Sequence, residues 1–187
     1  MQNNNFYKPD TAISDCGRVL PGPDVPTIRI MDFVYSSSVD GTGFRDVLFV
    51  NYCPHHCKGC HNPESWDKKN GHDITIEEAF KNLTKSEITN VTFSGGEPFE
   101  QATALAILAK MLKEKGKTIW VYSGYTFEQL IKDPEKKSLL ELCDILVDGK
   151  FDLSQKGLNM RFKGSHNQRI LDIKKSLQQN KAIEANI

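Results

Sequence analysis

Residues 90–125 read NVTFSGGEPFEQATALAILAKMLKEKGKTIWVYSGY. The stretch opens on a short β-branched run, NVTFS, and returns to another, TIWVYS, at 118–123. Between them QATALAILAKMLKEKG (101–116) repeats its apolar residues at helical spacing. It stops at Gly116, the residue type that best tolerates the left-handed backbone that closes helices. Strand, helix and strand in about 30 residues make a βαβ unit, whose two strands run parallel.

The same alternation continues outward. Upstream, TIEEAFKNLTK (75–85) predicts a helix with Thr75 as its cap, and TIRIMDFVY (27–35) and DVLFVNY (46–52) predict strands separated by the turn-forming SSSVDGTG. Downstream, TFEQLIKD and PEKKSLLELC predict helices, the second with Pro134 in its first turn, and DILVD (144–148) predicts a strand. Strand starts recur every 25 to 30 residues or so, which predicts an α/β fold with a mainly parallel sheet. Chemistry in such folds collects at the carboxyl ends of the strands. Here those ends read NYC, SGGEP, YSGY and VDGKF, four polar or glycine-rich loops able to meet at one site.

The bulk composition narrows the function classes. A chain of 187 residues suffices for one domain with a real core. Its 24 Lys and Arg balance 24 Asp and Glu, so the basic excess that nucleic-acid binding demands is missing and no nucleic-acid partner is expected. No apolar run nears the roughly 20 residues that cross a bilayer, and MQNNNFYKPD lacks the basic-then-apolar order of a secretory leader. Residues 1–26 form an extension, polar and then turn-rich, ahead of a domain over 27–187. Five cysteines, an odd number and clustered, argue against a disulfide framework and for a cytoplasmic chain with reduced thiols.

Cys53, Cys57 and Cys60 stand in a C-x3-C-x2-C spacing just after a strand, within NYCPHHCKGCHNPESW (51–66). A closed zinc staple needs four protein ligands. No second cysteine pair follows, His61 is poorly placed to turn back onto an ion held by Cys60, and His55 and His56 are expected to be exposed. Cys16 lies on a turn-rich segment, and Cys143, in LLELC, reads as a small buried hydrophobe. An iron–sulfur cubane accepts the spacing more readily, since a short loop can offer three thiolates to three of its irons and leave the fourth without a protein ligand.

The cysteine loop, followed by GGEP after a later strand, resembles the radical S-adenosylmethionine superfamily. VNYCPHHCKGCHNPESW, SGGEPF, VYSGYTFEQL, DILVDGKF and RFKGSHNQRILD together, running in order from about Gly41 to Asp172, resemble the activating proteins of anaerobic ribonucleoside-triphosphate reductase. The resemblance implies a partial, laterally open (β/α) barrel. It implies that Cys53, Cys57 and Cys60 ligate a 4Fe-4S cluster whose open iron takes S-adenosylmethionine. Gly95, Gly96 and Glu97 would meet the methionine end of that cofactor, with Gly59, Cys60 and His61 lining the same pocket. Ser123, Gly124 and Asp148 would contribute at later strand ends, although Asp148 is equally a turn residue before Gly149.

The activity implied is reductive cleavage of S-adenosylmethionine at a strongly reducing cluster, fed by an external one-electron donor such as flavodoxin or ferredoxin. The product is a glycyl radical on the large subunit of the reductase. Phe93, Trp120 and Val121 would serve as an apolar wall or as plain core, and Arg161, Lys163 and Arg169 as a docking surface or as a charged loop. The segment IKKSLQQNK (173–181) is expected to be a solvated helix. Two departures stand out: Thr42 replaces the family's proline in Gly41-Thr42-Gly43, and Gly59 stands where many superfamily members carry an aromatic residue. The rival readings are an activase of another glycyl radical enzyme of the pyruvate formate-lyase kind, a small-molecule radical enzyme, and a non-catalytic zinc-stapled module.

Overall fold

A computed structural model of the chain describes residues 26–157 and 160–187, together with two short paired strands, β1 (Ala12–Ile13) and β2 (Val19–Leu20). Most of the proposed extension, Cys16 included, lies outside the described residues. The main sheet has seven strands: β3 (Thr27–Ser37), β4 (Arg45–Val50), β5 (His72–Thr75), β6 (Asn90–Gly95), β7 (Ile119–Tyr122), β8 (Ile145–Asp148) and β9 (Arg169–Asp172). Their spatial order is β5-β3-β4-β6-β7-β8-β9.

The pairs β4–β6, β6–β7 and β7–β8 are parallel, as the βαβ reading requires. β3 runs antiparallel to β4 and to β5, and β9 runs antiparallel to β8. Five strands therefore point one way and two, β3 and β9, the other. β5 and β9 end the sheet without pairing to each other, so it is open at its sides. Neither of these edge strands is announced by the sequence: HDIT and RILD are four residues long and lack the alternation that marks a longer half-buried strand.

The helices are α1 (Ile76–Leu83), α2 (Ala102–Glu114), α3 (Phe127–Leu130), α4 (Pro134–Leu140) and α5 (Ile173–Gln179). Side chains alternate between the two faces of a strand. One face carries Leu48, Val50, Val91, Phe93, Ile119, Val121 and Leu146 into the helix-covered core, where they meet Ala79, Leu83, Leu105, Leu108, Leu112, Leu139 and Leu140. The other face carries Arg45, Thr92, Trp120 and Tyr122. It is covered by the segment 38–43, through a Thr92 Oγ1 bond to the Asp40 carbonyl, and by Phe162, whose ring stands edge-on to Trp120 at 5.4 Å.

Phe93 and Val121 are thus core only, and Trp120 alone of the expected wall faces the opposite side. α5 is not a solvated helix: Ile173 and Ser176 are buried and Leu177 packs on the core, because β9 delivers the helix back to the sheet edge. Cys143 is buried, with its thiol donating to the Leu139 carbonyl and pushed up by burial.

Candidate metal centre

β4 ends at Val50, and the chain then makes a compact loop closed at its base. Tyr52 N–H donates to the Ser65 carbonyl at 2.7 Å, and Asn51 Nδ2 donates to the Asp67 carbonyl at 3.1 Å. Within it the Cys60 amide donates to the Cys57 carbonyl at 3.0 Å. Cys53, Cys57 and Cys60 are free thiols, all partly exposed. Asn62 N–H donates to Cys60 Sγ at 3.4 Å, while the main-chain N–H groups of His55 and His56 act on the Cys53 thiol, and that of Phe151 on the Cys57 thiol, in the direction that favours ionisation. Burial pushes the Cys53 thiol up to about 11 and raises that of Cys57 as well, and these N–H groups oppose the rise. N–H groups aimed at sulfur favour the thiolate.

The thiol set fits a polynuclear cluster better than a single ion. Among the described residues no three His, Cys, Asp or Glu side chains converge on one ion position. A cubane does not ask them to, because each thiolate meets a different iron. Three unpaired thiols in one short loop, partly open to solvent, are a donor set that a 4Fe-4S cluster can take.

The other three strand-end loops meet this one. Gly96 N–H donates to the Val50 carbonyl and Glu97 N–H to the Tyr52 carbonyl, both at 2.8 Å. The contact is so close that a Cβ on Gly95 would lie 2.6 Å from the Val50 oxygen, and one on Gly96 2.3 Å from the Tyr52 oxygen. Only glycine allows the two loops to touch at these positions, and Gly95 has a φ of +100° besides. From the β8 loop, Phe151 packs its ring 5.0 Å from His61. Leu153 fills the space beside Gly59, where a Cβ would come within 3.0 Å of it.

Glu97 is completely buried and accepts four hydrogen bonds. Oε1 takes the Phe99 amide at 3.1 Å and Ser123 Oγ at 2.9 Å; Oε2 takes the Gly124 amide and His55 Nε2, both at 2.8 Å. The carboxylate thus ties together the loops that follow β4, β6 and β7. Ser123 and Gly124 turn toward Glu97, and the Ser123 hydroxyl also accepts from the Tyr125 amide at 3.0 Å.

Asp148 is likewise committed to scaffold bonds. Its carboxylate accepts from Arg169 Nε at 2.9 Å, from Arg169 Nη2 and from the Phe127 amide at 2.8 Å. It clamps β8 to β9 and to the start of α3. Arg169 is therefore committed to scaffold bonds while partly exposed, bonded also to Glu128, whereas Arg161 stays exposed and Lys163 donates to the Gln168 carbonyl.

Of the residues singled out from sequence, Cys53, Cys57, Cys60, Gly59, His61, Gly95, Gly96, Glu97 and Ser123 come together at the carboxyl ends of the parallel strands, and Asp148 lies one strand further along. His55 was overlooked as a structural element. It was expected to be exposed beside His56; His56 is, but the His55 side chain keeps only 6% of its surface, held by Glu97 and by Tyr125 at 4.5 Å. The signal for it was a lone ionisable acid in SGGEP, which a buried loop must pair.

A family described as a 4Fe-4S single cluster domain matches residues 39–171. The anaerobic ribonucleoside-triphosphate reductase-activating protein of Vibrio cholerae is 37% identical over 139 residues, covering 70% of this chain and 88% of that one. The protein of the same name from Enterobacteria phage T4 is 34% identical, covering 71% and 86%, and that from Haemophilus influenzae is 33% identical, covering 75% and 96%. The crystal structure of QueE from Escherichia coli superposes on 54% of this chain and 53% of its own, at 18% identity and a TM-score of 0.46.

Proposed function

The chain belongs to the family of anaerobic ribonucleoside-triphosphate reductase-activating proteins, and we propose on that premise that Cys53, Cys57 and Cys60 hold one 4Fe-4S cluster with which, together with S-adenosylmethionine, it sets a glycyl radical on the large subunit of the reductase. The single observation that carries the reading is one short loop with three free, partly exposed thiols, to which a glycine pair is bonded at the carboxyl ends of parallel strands. When bound, such a cluster and its sulfonium partner would supply one-electron chemistry for abstracting a hydrogen atom from a glycine of the partner protein.

The rest is the work of this chain's own residues. The N–H groups of His55, His56, Phe151 and Asn62 offset negative charge on the thiolates. Gly95 and Gly96 bring the main chain of one loop against the other with no side chain between, which leaves their peptide groups near the cofactor's methionine end. Gly59, His61 and Phe151 border the thiols on the β8 side. Trp120, Tyr122 and Phe162 line the face of the sheet that the helices leave free and exclude water from it, a condition for a radical that would otherwise be quenched. Glu97, Ser123 and Asp148 act by fixing these loops. The electron comes from an external one-electron donor such as flavodoxin or ferredoxin, and the protein works in the cytoplasm. No helix among the described residues is long and apolar enough to cross a membrane.

The test is anaerobic reconstitution with iron and sulfide, reduction, and mixing with S-adenosylmethionine and the large reductase subunit. A glycyl radical doublet by electron spin resonance, accompanied by methionine release, is expected. Methionine release with no radical on that subunit would redirect the function to another substrate, and neither signal would overturn the reading.

A further inference from the structure

The cysteine loop could be held in place by its main-chain bonds to β6 and Ser65 alone, yet it also inserts a side chain from between its first two thiols into the protein. His55 lies two residues from Cys53 and two from Cys57. Its Nε2 donates to Glu97 Oε2 at 2.8 Å, its ring stands edge-on to Tyr125 at 4.5 Å, and it rests on the main chain of Gly124. The fit there is tight: a Cβ on Gly124 would lie 2.2 Å from the His55 Cδ2 and 2.6 Å from its Nε2. The same Gly124 donates its amide to the carboxylate that His55 meets, at 2.8 Å. Socket and partner are therefore built from one dipeptide step after β7 and one acid after β6. Tyr125 is fixed in turn by its hydroxyl donating to Glu100 at 2.7 Å.

We propose that His55 is a positioning residue: its ring, socketed on Gly124 and bonded to Glu97, locks the stretch between Cys53 and Cys57 to the β6 and β7 loops and so sets the one arrangement in which the thiols receive their cluster. The proposal rests on the reading of Cys53, Cys57 and Cys60 as cluster ligands. Residues that orient ligands are worth about ten- to a hundredfold in metal affinity. Glu97 keeps three other donors when the ring is removed, so the loss falls on the loop more than on the fold.

The experiment compares reconstituted wild type with His55→Ala, His55→Gln, Gly124→Ala and the double variant His55→Ala/Gly124→Ala. Iron and sulfide per chain, the rate of iron loss to an excess of chelator, the resonance spectrum of the reduced cluster and the melting temperature of the metal-free chains are measured. His55→Ala and Gly124→Ala are expected to lose iron about tenfold faster than wild type and to broaden the spectrum. Glutamine, whose amide nitrogen takes the place of Nε2, restores both to within about twofold, and the double variant is no worse than His55→Ala, because the methyl added at Gly124 meets the ring while the amide bond to Glu97 is kept.

Loss rates and spectra like wild type in both single variants would overturn the proposal. So would a fall in the melting temperature of the metal-free chain with the spectrum of the formed cluster unchanged, the mark of a purely structural contact. Failure of the wild type itself to take up iron would instead overturn the ligand reading, and this proposal with it.

Discussion

Arg45 and Glu97 are both charged, both shut away from water and both fully hydrogen-bonded, and they sit at opposite ends of the same parallel strands. Arg45 opens β4. Its guanidinium donates to Thr92 Oγ1 at 2.7 Å and to the carbonyls of Val91, Thr118 and Thr42 at 2.5, 3.0 and 3.3 Å, and it lies over Trp120 at 5.4 Å. Burial, with no carboxylate bonded to it, pushes it down to about 10. Every partner belongs to the scaffold. Glu97 follows β6, and its partners belong to three loops, one of which carries the thiols. Equal burial and equal satisfaction thus serve different ends: one charge knits strands together, and the other fixes a site that must be rigid before anything binds to it.

This contrast also explains Gly41-Thr42-Gly43. Gly41 has a φ of +132°, and a Cβ there would come within 2.6 Å of the Arg45 side chain and 2.8 Å of Trp120. Thr42 offers its carbonyl to Arg45, which a proline at that position could do equally well. The loop is a lid over the buried arginine, and the exchange of proline for threonine leaves that contact in place.

The comparison is most open to attack through the two charges. Arg45→Met should cost the metal-free chain about 3 kcal/mol in urea unfolding, since five acceptors, Thr118 Oγ1 among them, lose their donor in a largely buried setting. Iron bound per folded chain should not change. Glu97→Gln should cost less, about 1–2 kcal/mol, because the amide still accepts at one oxygen while its NH2 faces a donor. Its iron loss to chelator should nonetheless be the faster of the two. If Arg45→Met loosened the cluster more than Glu97→Gln did, the division of labour would fail.

A smaller effect probes the clamp beside the site. Arg169 holds the Glu128 carboxyl down to about 2 from its usual 4.5. A depressed folded value means stability that is present above pH 4.5 and lost as pH falls toward 2. The pair is half exposed, so solvent screening limits it to about 0.5 kcal/mol. The stability advantage of wild type over Glu128→Gln should therefore shrink as pH falls from 5 to 3. A constant difference across that range would show that the ion pair contributes nothing.

How much of this was legible in the chain varies by element, for physical reasons. The parallel centre was, because α2 and the runs around it carry clean helical and strand periods in NVTFS…TIWVYS. β5 and β9 were not, because a short edge strand draws its pairing from a neighbour far away in sequence, as Val147 does for Ile170. The spacing of the three cysteines marked their loop as a candidate, whereas the glycine pair stood out only through the family resemblance. The work of Glu97, Ser123 and Asp148 did not: a sequence shows that an acid lies in a strand-end loop, but not whether it faces a ligand or a neighbouring amide. His55 was misjudged for the same reason, since its burial depends on a socket 69 positions downstream at Gly124.

The measurement that bears most directly on the central claim is the iron and acid-labile sulfide content of anaerobically reconstituted wild type and Cys57→Ala, with the melting temperatures of the metal-free chains as control. About four irons and four sulfides per wild-type chain are expected, with most of both lost in a Cys57→Ala protein that melts as the wild type does. A wild-type chain that instead takes up one zinc and no sulfide, or a Cys57→Ala chain that keeps its full cluster, would contradict the account.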